Sequence, residues 1–241
     1  MCTVSFIPGR QQIILTSNRD EKSLRPRAIP PAQYGSLMYP KDSAKGGTWA
    51  VVHANGKTCI LLNGGFVKHE PQPHHTKSRG LVLLEIMDAS EPLKAFVDAD
   101  LLNTEPFTLI MLQQNQLVEC RWDGERKHCA YPDMEQPHIW SSATLYDAIV
   151  SEKRKQWFYE WLEKNPNPSP DEVFQFHLFG GNGDTYNDFR MNRDGKILTV
   201  SVTQIVHTKE HAFIKYHDLQ DNSYYTNTLS FQTATTPIVH A

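Results

Sequence analysis

Two β-rich runs, Cys2-Thr3-Val4-Ser5-Phe6-Ile7 and Gln11 to Ser17, flank the turn Pro8-Gly9-Arg10. Together they predict an antiparallel hairpin. Its open end carries Cys2 on one strand and Asn18-Arg19-Asp20-Glu21 on the other, so spacing alone can bring Arg19 or Asp20 toward the thiol. Residues 24–47 are proline-rich, follow no clean period and read as an irregular surface-crossing segment ending in Gly46-Gly47. Trp49 to Ala54 and Lys57 to Leu62 form a second hairpin around Asn55-Gly56, and the latter run delivers Asn63-Gly64-Gly65 at its end.

Farther along, Arg79 to Ala89 reads as a mostly buried helix, and Ser90-Glu91-Pro92 starts another. Phe107 to Leu112 and Gln116 to Trp122 pair around Gln114-Asn115, and His138 to Ser142 is a further short strand. Asp147 to Leu162 is a helix, and Ser169-Pro170-Asp171-Glu172 is a capping box opening a helix that ends at Gly180-Gly181. Strands follow near residues 196–207, 211–218 and 223–229, with turns at Asp194-Gly195 and Asp221-Asn222. Blocks of this kind predict layered sheets with helices outside, in one α+β domain over residues 1–241.

Composition narrows the function classes. The formal charge is -3, with 39% hydrophobic and 21% charged residues. That is ordinary for a globular chain and supplies no basic field for nucleic acid, so small molecules are the expected ligands. No apolar run is long enough for a membrane span, and the N-terminal pattern is not that of a signal peptide, which makes the cytoplasm the expected location. The four cysteines, Cys2, Cys59, Cys120 and Cys129, form no Cys-x-x-Cys pair. Cys59 and Cys120 lie in apolar runs and read as buried small hydrophobes.

The candidate chemistry concentrates at Cys2. Once Met1 is trimmed, this residue carries both a thiol nucleophile and an α-amine of pKa near ~8, and a neighbouring cation such as Arg19 lowers the thiol pKa. A second Asn-Arg-Asp at residues 192–194 precedes Gly195 and reads as a turn. His69, Glu70, His74 and His75 match no metal-binding template, and the 180–188 segment lacks calcium-loop spacing, so no metal is expected. Phosphate-loop, dinucleotide and serine-hydrolase motifs are absent, and no cofactor is expected.

Four motifs occur in order: Met1-Cys2-Thr3, Asn18-Arg19-Asp20-Glu21, Lys45-Gly46-Gly47-Thr48-Trp49 and Ser78-Arg79-Gly80. This order resembles the NRDE family, also called the transport and Golgi organisation family, a branch of the N-terminal nucleophile hydrolases. The likeness is clear over residues 1–84 and weaker through Trp140-Ser141-Ser142 and Thr199 to Val206. It implies a four-layer αββα sandwich of two mainly antiparallel sheets and hydrolysis of a linear acyl-amide bond. By resemblance Cys2 is the nucleophile, its amine the base, Arg19 and Asp20 the pair orienting it, and Asn63 the oxyanion donor. Asn18, Glu21, Gly47, Thr48, Trp49 and Ser142 are expected to bind substrate or support the site. Serine stands at 142 where the relatives carry asparagine, and Thr199 to Val206 holds no match for their late active-site arginine. Two alternatives use the same fold: a non-catalytic carrier of haem or other hydrophobic, lipid-derived cargo, and a degenerate domain kept for protein interaction.

Overall fold

The computed structural model describes residues 3–113 and 115–232. Strands β1 (Thr3–Ile7) and β2 (Ile13–Lys22) form the predicted hairpin. β1 also pairs with β10 (His138–Ser141), and β2 pairs with β12 (Ile197–His207). β13 (His211–Asp218) and β14 (Ser223–Ser230) complete this first sheet in the order β10-β1-β2-β12-β13-β14. The two-residue β11 (Asn192–Arg193) flanks β12, and Asp194 and Gly195, both at positive φ, turn the chain between them.

The second sheet runs in sequence order: β3 (Ile29–Tyr34), β4 (Leu37–Lys41), β5 (Ala50–His53), β6 (Thr58–Asn63), β7 (Phe107–Gln113), β8 (Gln116–Trp122) and β9 (Lys127–Ala130). All named pairs in both sheets are antiparallel. β3 and β4 correct the expectation of an irregular segment at 24–47. Pro30 and Pro31 sit in β3, which is the sheet's edge, where a residue without an N–H leaves no interior ladder bond unmade.

Side-chain alternation fixes the layers. On β6, Ile60 and Leu62 join the cluster between the sheets, with Phe6, Leu15, Trp49 and Ile205. Their neighbours Cys59 and Leu61 face the other way, into a cluster with Val82, Leu83 and Ile86 of α1 (Arg79–Asp88) and Phe96 of α2 (Pro92–Asp98). On the first sheet, Ile7 and Ile14 turn outward to Phe158 of α3 (Ala148–Lys164) and Val173 and Phe176 of α4 (Pro170–Phe179). The result is an αββα sandwich. The capping box forms at Ser169 with both of its reciprocal bonds, which sets where α4 starts.

Candidate active site

β2 is buried on both faces from Ile14 to Asp20, so consecutive residues serve different layers. Odd positions face the second sheet and even positions face the helices. Arg19 and Asp20, adjacent in sequence, therefore point into opposite layers. A bulge in β12 at Val200 falls beside them: Asp20 pairs with Thr199 and Arg19 with Ser201. Such insertions re-aim side chains at the end of a ladder.

Arg19 crosses to the second sheet. Its Nη2 donates to Asp42 Oδ2 at 2.7 Å, and its guanidinium lies 4.5 Å from the centre of the Trp49 ring. Glu21 is 3.8 Å away. Arg25 also donates to both Asp42 oxygens. Burial pushes the Asp42 pKa up, but the Lys45 backbone N–H and the Arg25 and Arg19 charges outweigh it and hold the carboxyl below its ordinary range. Asp42 also accepts from the Ala44 and Lys45 N–H groups, so the tight loop before Gly46-Gly47 is wound around the acid that holds Arg19.

On the helix side, Asp20 accepts from the Tyr146 hydroxyl at 2.7 Å and the Thr199 hydroxyl at 2.6 Å. Asn18 donates its amide to the carbonyls of His177 and Phe189. That fixes its side-chain oxygen as the acceptor of His177 Nδ1–H, and the other ring nitrogen then accepts from Ser5. The ring is neutral, because burial and then the nearby Arg154 charge push its pKa down to about 3. Arg154, fully buried on α3, donates to Thr3 Oγ1 and to the carbonyls of Asn187 and Asp188.

Cys2 itself lies outside the described residues. Its chain neighbour Thr3 pairs with Asn18 of β2 and Ser141 of β10.

Asn63 ends β6, and the backbone beyond it is fixed at successive positions. Gly64, at φ 87°, donates its N–H to Pro106 and accepts from Thr108, and the Gly65 carbonyl accepts from Arg121. The Ser142 hydroxyl lies 2.7 Å from the Asn63 carbonyl and 2.8 Å from the Thr144 hydroxyl. Ser142 is thus spent on holding the Asn63 backbone. Asn63 borders a cavity of about 280 Å³ shared with Arg19, Glu21, Asp42, Thr48, Trp49 and Arg79. Gly47 and Gly80 close one wall by backbone contact: a Cβ on Gly47 would stand 2.5 Å from the Gly80 carbonyl carbon. Thr48 donates to Pro40, and Trp49 reaches back across the sandwich to Thr203.

Sequence reasoning missed Asp42, Tyr146, Arg154 and His177. A buried arginine needs its charge and donors satisfied, often by an acid, which was a signal for a partner near Arg19 without saying which one. Among the described residues no group of three or more His, Cys, Asp or Glu side chains is arranged to hold a metal. Among them, too, no helix is long and apolar enough to cross a membrane.

The model of the Transport and Golgi organisation 2 family matches residues 1–236. The chain belongs to that family. No curated protein sequence matches it. Among solved structures it resembles the Caenorhabditis elegans ortholog of N-acylethanolamine-hydrolyzing acid amidase, at 12% identity and TM-score 0.58, over 85% of this chain and 92% of that one. It also resembles the C2A mutant of conjugated bile acid hydrolase from Clostridium perfringens, at 10% identity and TM-score 0.58 over 97% of each chain. An arginine-to-leucine variant of that hydrolase aligns at 11% identity and TM-score 0.57, over 96% and 97%. At such identities the likeness is one of fold, and the family member has the N-terminal nucleophile hydrolase fold.

Proposed function

We propose that this protein is an N-terminal cysteine hydrolase of small acyl amides, with Cys2 as nucleophile after removal of Met1. One observation carries the reading. Arg19, clamped by Asp42 and Trp49, borders the same cavity as Asn63, one position beyond the Asn18–Thr3 pair. Val4 and Phe6 of β1 face between the sheets, the layer into which Arg19 points, and the reading makes the residue before Thr3 the nucleophile. An adjacent guanidinium favours the thiolate.

In this mechanism the thiolate attacks the acyl carbonyl, and the Asn63 carboxamide donates to the developing oxyanion. The C–N bond breaks as the Cys2 ammonium gives its proton to the departing amine, leaving a thioester. Water then attacks, its proton passing to the Cys2 amine, and the acid departs with the thiolate and ammonium restored. Asp20, held by Tyr146 and Thr199, is with Arg19 the pair that orients the Cys2 amine in this reading, and Asn18 fixes β2 to the helix layer. Glu21, Gly47, Thr48 and Trp49 shape the cavity, and Ser142 supports Asn63 through its backbone.

The fold supports this reading, since the solved neighbours are an acid amidase and a bile acid hydrolase, the latter with a cysteine at its own position 2. The polar lining, with Arg19, Arg25, Lys45, Lys77 and Arg79 against Glu21, Asp42 and Glu105, favours a small polar substrate over haem or another apolar cargo. A single domain over residues 1–241 belongs to the same proposal, supported by the core shared between the sheets. So does a cytoplasmic location, supported by the free thiols of Cys59, Cys120 and Cys129.

Intact mass and iodoacetamide labelling test it. The hydrolase predicts a species lacking Met1, faster alkylation of Cys2 than of Cys129, and turnover of an acyl-amide probe that Cys2→Ala abolishes. Retained Met1 with Cys2 reacting no faster than the other cysteines would overturn it. A spectral shift of haem on titration, with no amide turnover, would favour the carrier.

A further inference from the structure

Strand β9 was not anticipated from the sequence, and it brings together two cysteines that lie nine positions apart in the chain. Cys129 on β9 pairs directly with Cys120 on β8, and their sulfurs are 3.9 Å apart. We propose that Cys120 and Cys129 are an oxidative modification site, forming a reversible disulfide within this hairpin.

Geometry selects this pair. A disulfide needs an S–S distance of about 2.05 Å between residues whose Cβ atoms already face each other, and directly opposed cross-strand positions meet that second condition. The remaining approach is of the size that side-chain rotation supplies. Cys59 is excluded as a partner, because it lies on β6 with β7 intervening, roughly 10 Å away at two strand spacings.

The two thiols are also unequal in the way a stepwise reaction requires. Cys129 is exposed on a four-residue edge strand, whereas Cys120 is fully buried beneath it. Burial, and then the Cys129 sulfur itself, pushes the Cys120 thiol up, so Cys129 is the group that meets an oxidant first. With a hydroperoxide as oxidant, the Cys129 thiolate attacks the peroxide oxygen and the O–O bond breaks. This gives a Cys129 sulfenic acid and releases water or an alcohol. The Cys120 sulfur then attacks the sulfenyl sulfur, the S–S bond forms, and a second water leaves with the Cys120 proton. The two thiols together lose two electrons to the peroxide.

The bond would tether the edge of the second sheet. Arg121, next to Cys120, donates to the Gly65 carbonyl, two residues past Asn63, and Glu119 on its other side accepts from Trp140 of β10. The modification therefore lies within one hydrogen bond of the backbone that carries the candidate site.

The test uses the full chain with Cys2→Ala, so that Cys2 takes no part. The protein is treated with hydrogen peroxide, blocked with N-ethylmaleimide under denaturing conditions and mapped by mass spectrometry without reductant. The expected result is loss of two hydrogens, one cross-linked peptide pair joining Cys120 to Cys129, and reversal by dithiothreitol. Backbone amides of residues 127–130 should exchange at least tenfold more slowly in the oxidised form. Cys129→Ser, an exposed change, should abolish the cross-link, and Cys59→Ala should leave it intact. The proposal is overturned if Cys129 accumulates as sulfinic acid while Cys120 stays alkylatable, or if the cross-link joins two chains.

Discussion

The guanidinium of Arg154 stacks 3.8 Å from the centre of the Tyr146 ring, whose hydroxyl donates to Asp20. Three acceptors from two separate segments, Thr3 and the adjacent pair Asn187 and Asp188, converge on the same side chain. Among the described residues it has no carboxylate partner within ion-pair distance. Its charge is satisfied by carbonyl and hydroxyl oxygens and by aromatic faces instead.

Arg154→Met leaves the buried Thr3 hydroxyl and the half-buried Asn187 and Asp188 carbonyls without this donor, and each such loss costs about 1–3 kcal/mol. The variant should lose at least about 3 kcal/mol in urea unfolding, and Arg154→Lys should recover part of it. An unchanged unfolding midpoint would show that Arg154 does not clamp the start of β1.

His177 should impose a pH dependence on stability. Its folded pKa, about 3, lies below the unfolded value near 6.5. Between those values the unfolded chain binds a proton that the folded chain refuses, so stability falls as pH drops below about 6.5, by up to about 1.4 kcal/mol per unit. Urea titrations at pH 5, 6, 7 and 8 measure the slope. His177→Gln should flatten it between pH 5 and 6, and an equally steep slope in that variant would refute the assignment.

Asp42 acts in the other direction along the titration. Its folded pKa is depressed, so its contribution is present above the unfolded value near ~3.9 and is lost as pH falls through the folded value. The wild type should therefore lose stability below about pH 4 more steeply than Asp42→Asn, which has already lost it at neutral pH. The same substitution leaves Arg19 and Arg25 without their shared carboxylate and should slow alkylation of Cys2 at pH 7.

Asn63→Ala removes the carboxamide but leaves the backbone bonds around it in place. Acylation by an amide probe should fall about 100-fold, the usual cost of one oxyanion donor, with little change in thermal midpoint. Ser142→Ala, which frees the Asn63 carbonyl, should cost stability as well as rate. Equal rates in wild type and Asn63→Ala would remove Asn63 from the mechanism.

Local pattern carried much of the architecture. The opening hairpin was legible from Pro8-Gly9-Arg10 between two β-rich runs, and the start of α4 from the Ser169 capping box. β3 was not, because Pro30 and Pro31 look like loop residues until the strand is known to be an edge. The candidate site divided along the same line. Arg19 and Asp20 were visible as residues at a strand end, but their separation onto two faces depends on both faces of β2 being covered. Their supports are long-range: Arg154 meets Thr3 across 151 positions, and His177 meets Asn18 across 159. No local periodicity encodes contacts of that span, and Asp42 was hidden in a stretch without a period.

The contact between Gly47 and Gly80 makes two separate sequence motifs into one mechanical part. Main chain lies on main chain there, so the wall has no side chain to trim or rotate. Side chains such as Lys45, Lys77 and His75 line the same cavity and can be exchanged without touching that joint, but along this wall the clearance is set by main chain. Changing what the cavity accepts would then mean recolouring its other walls against one of fixed position.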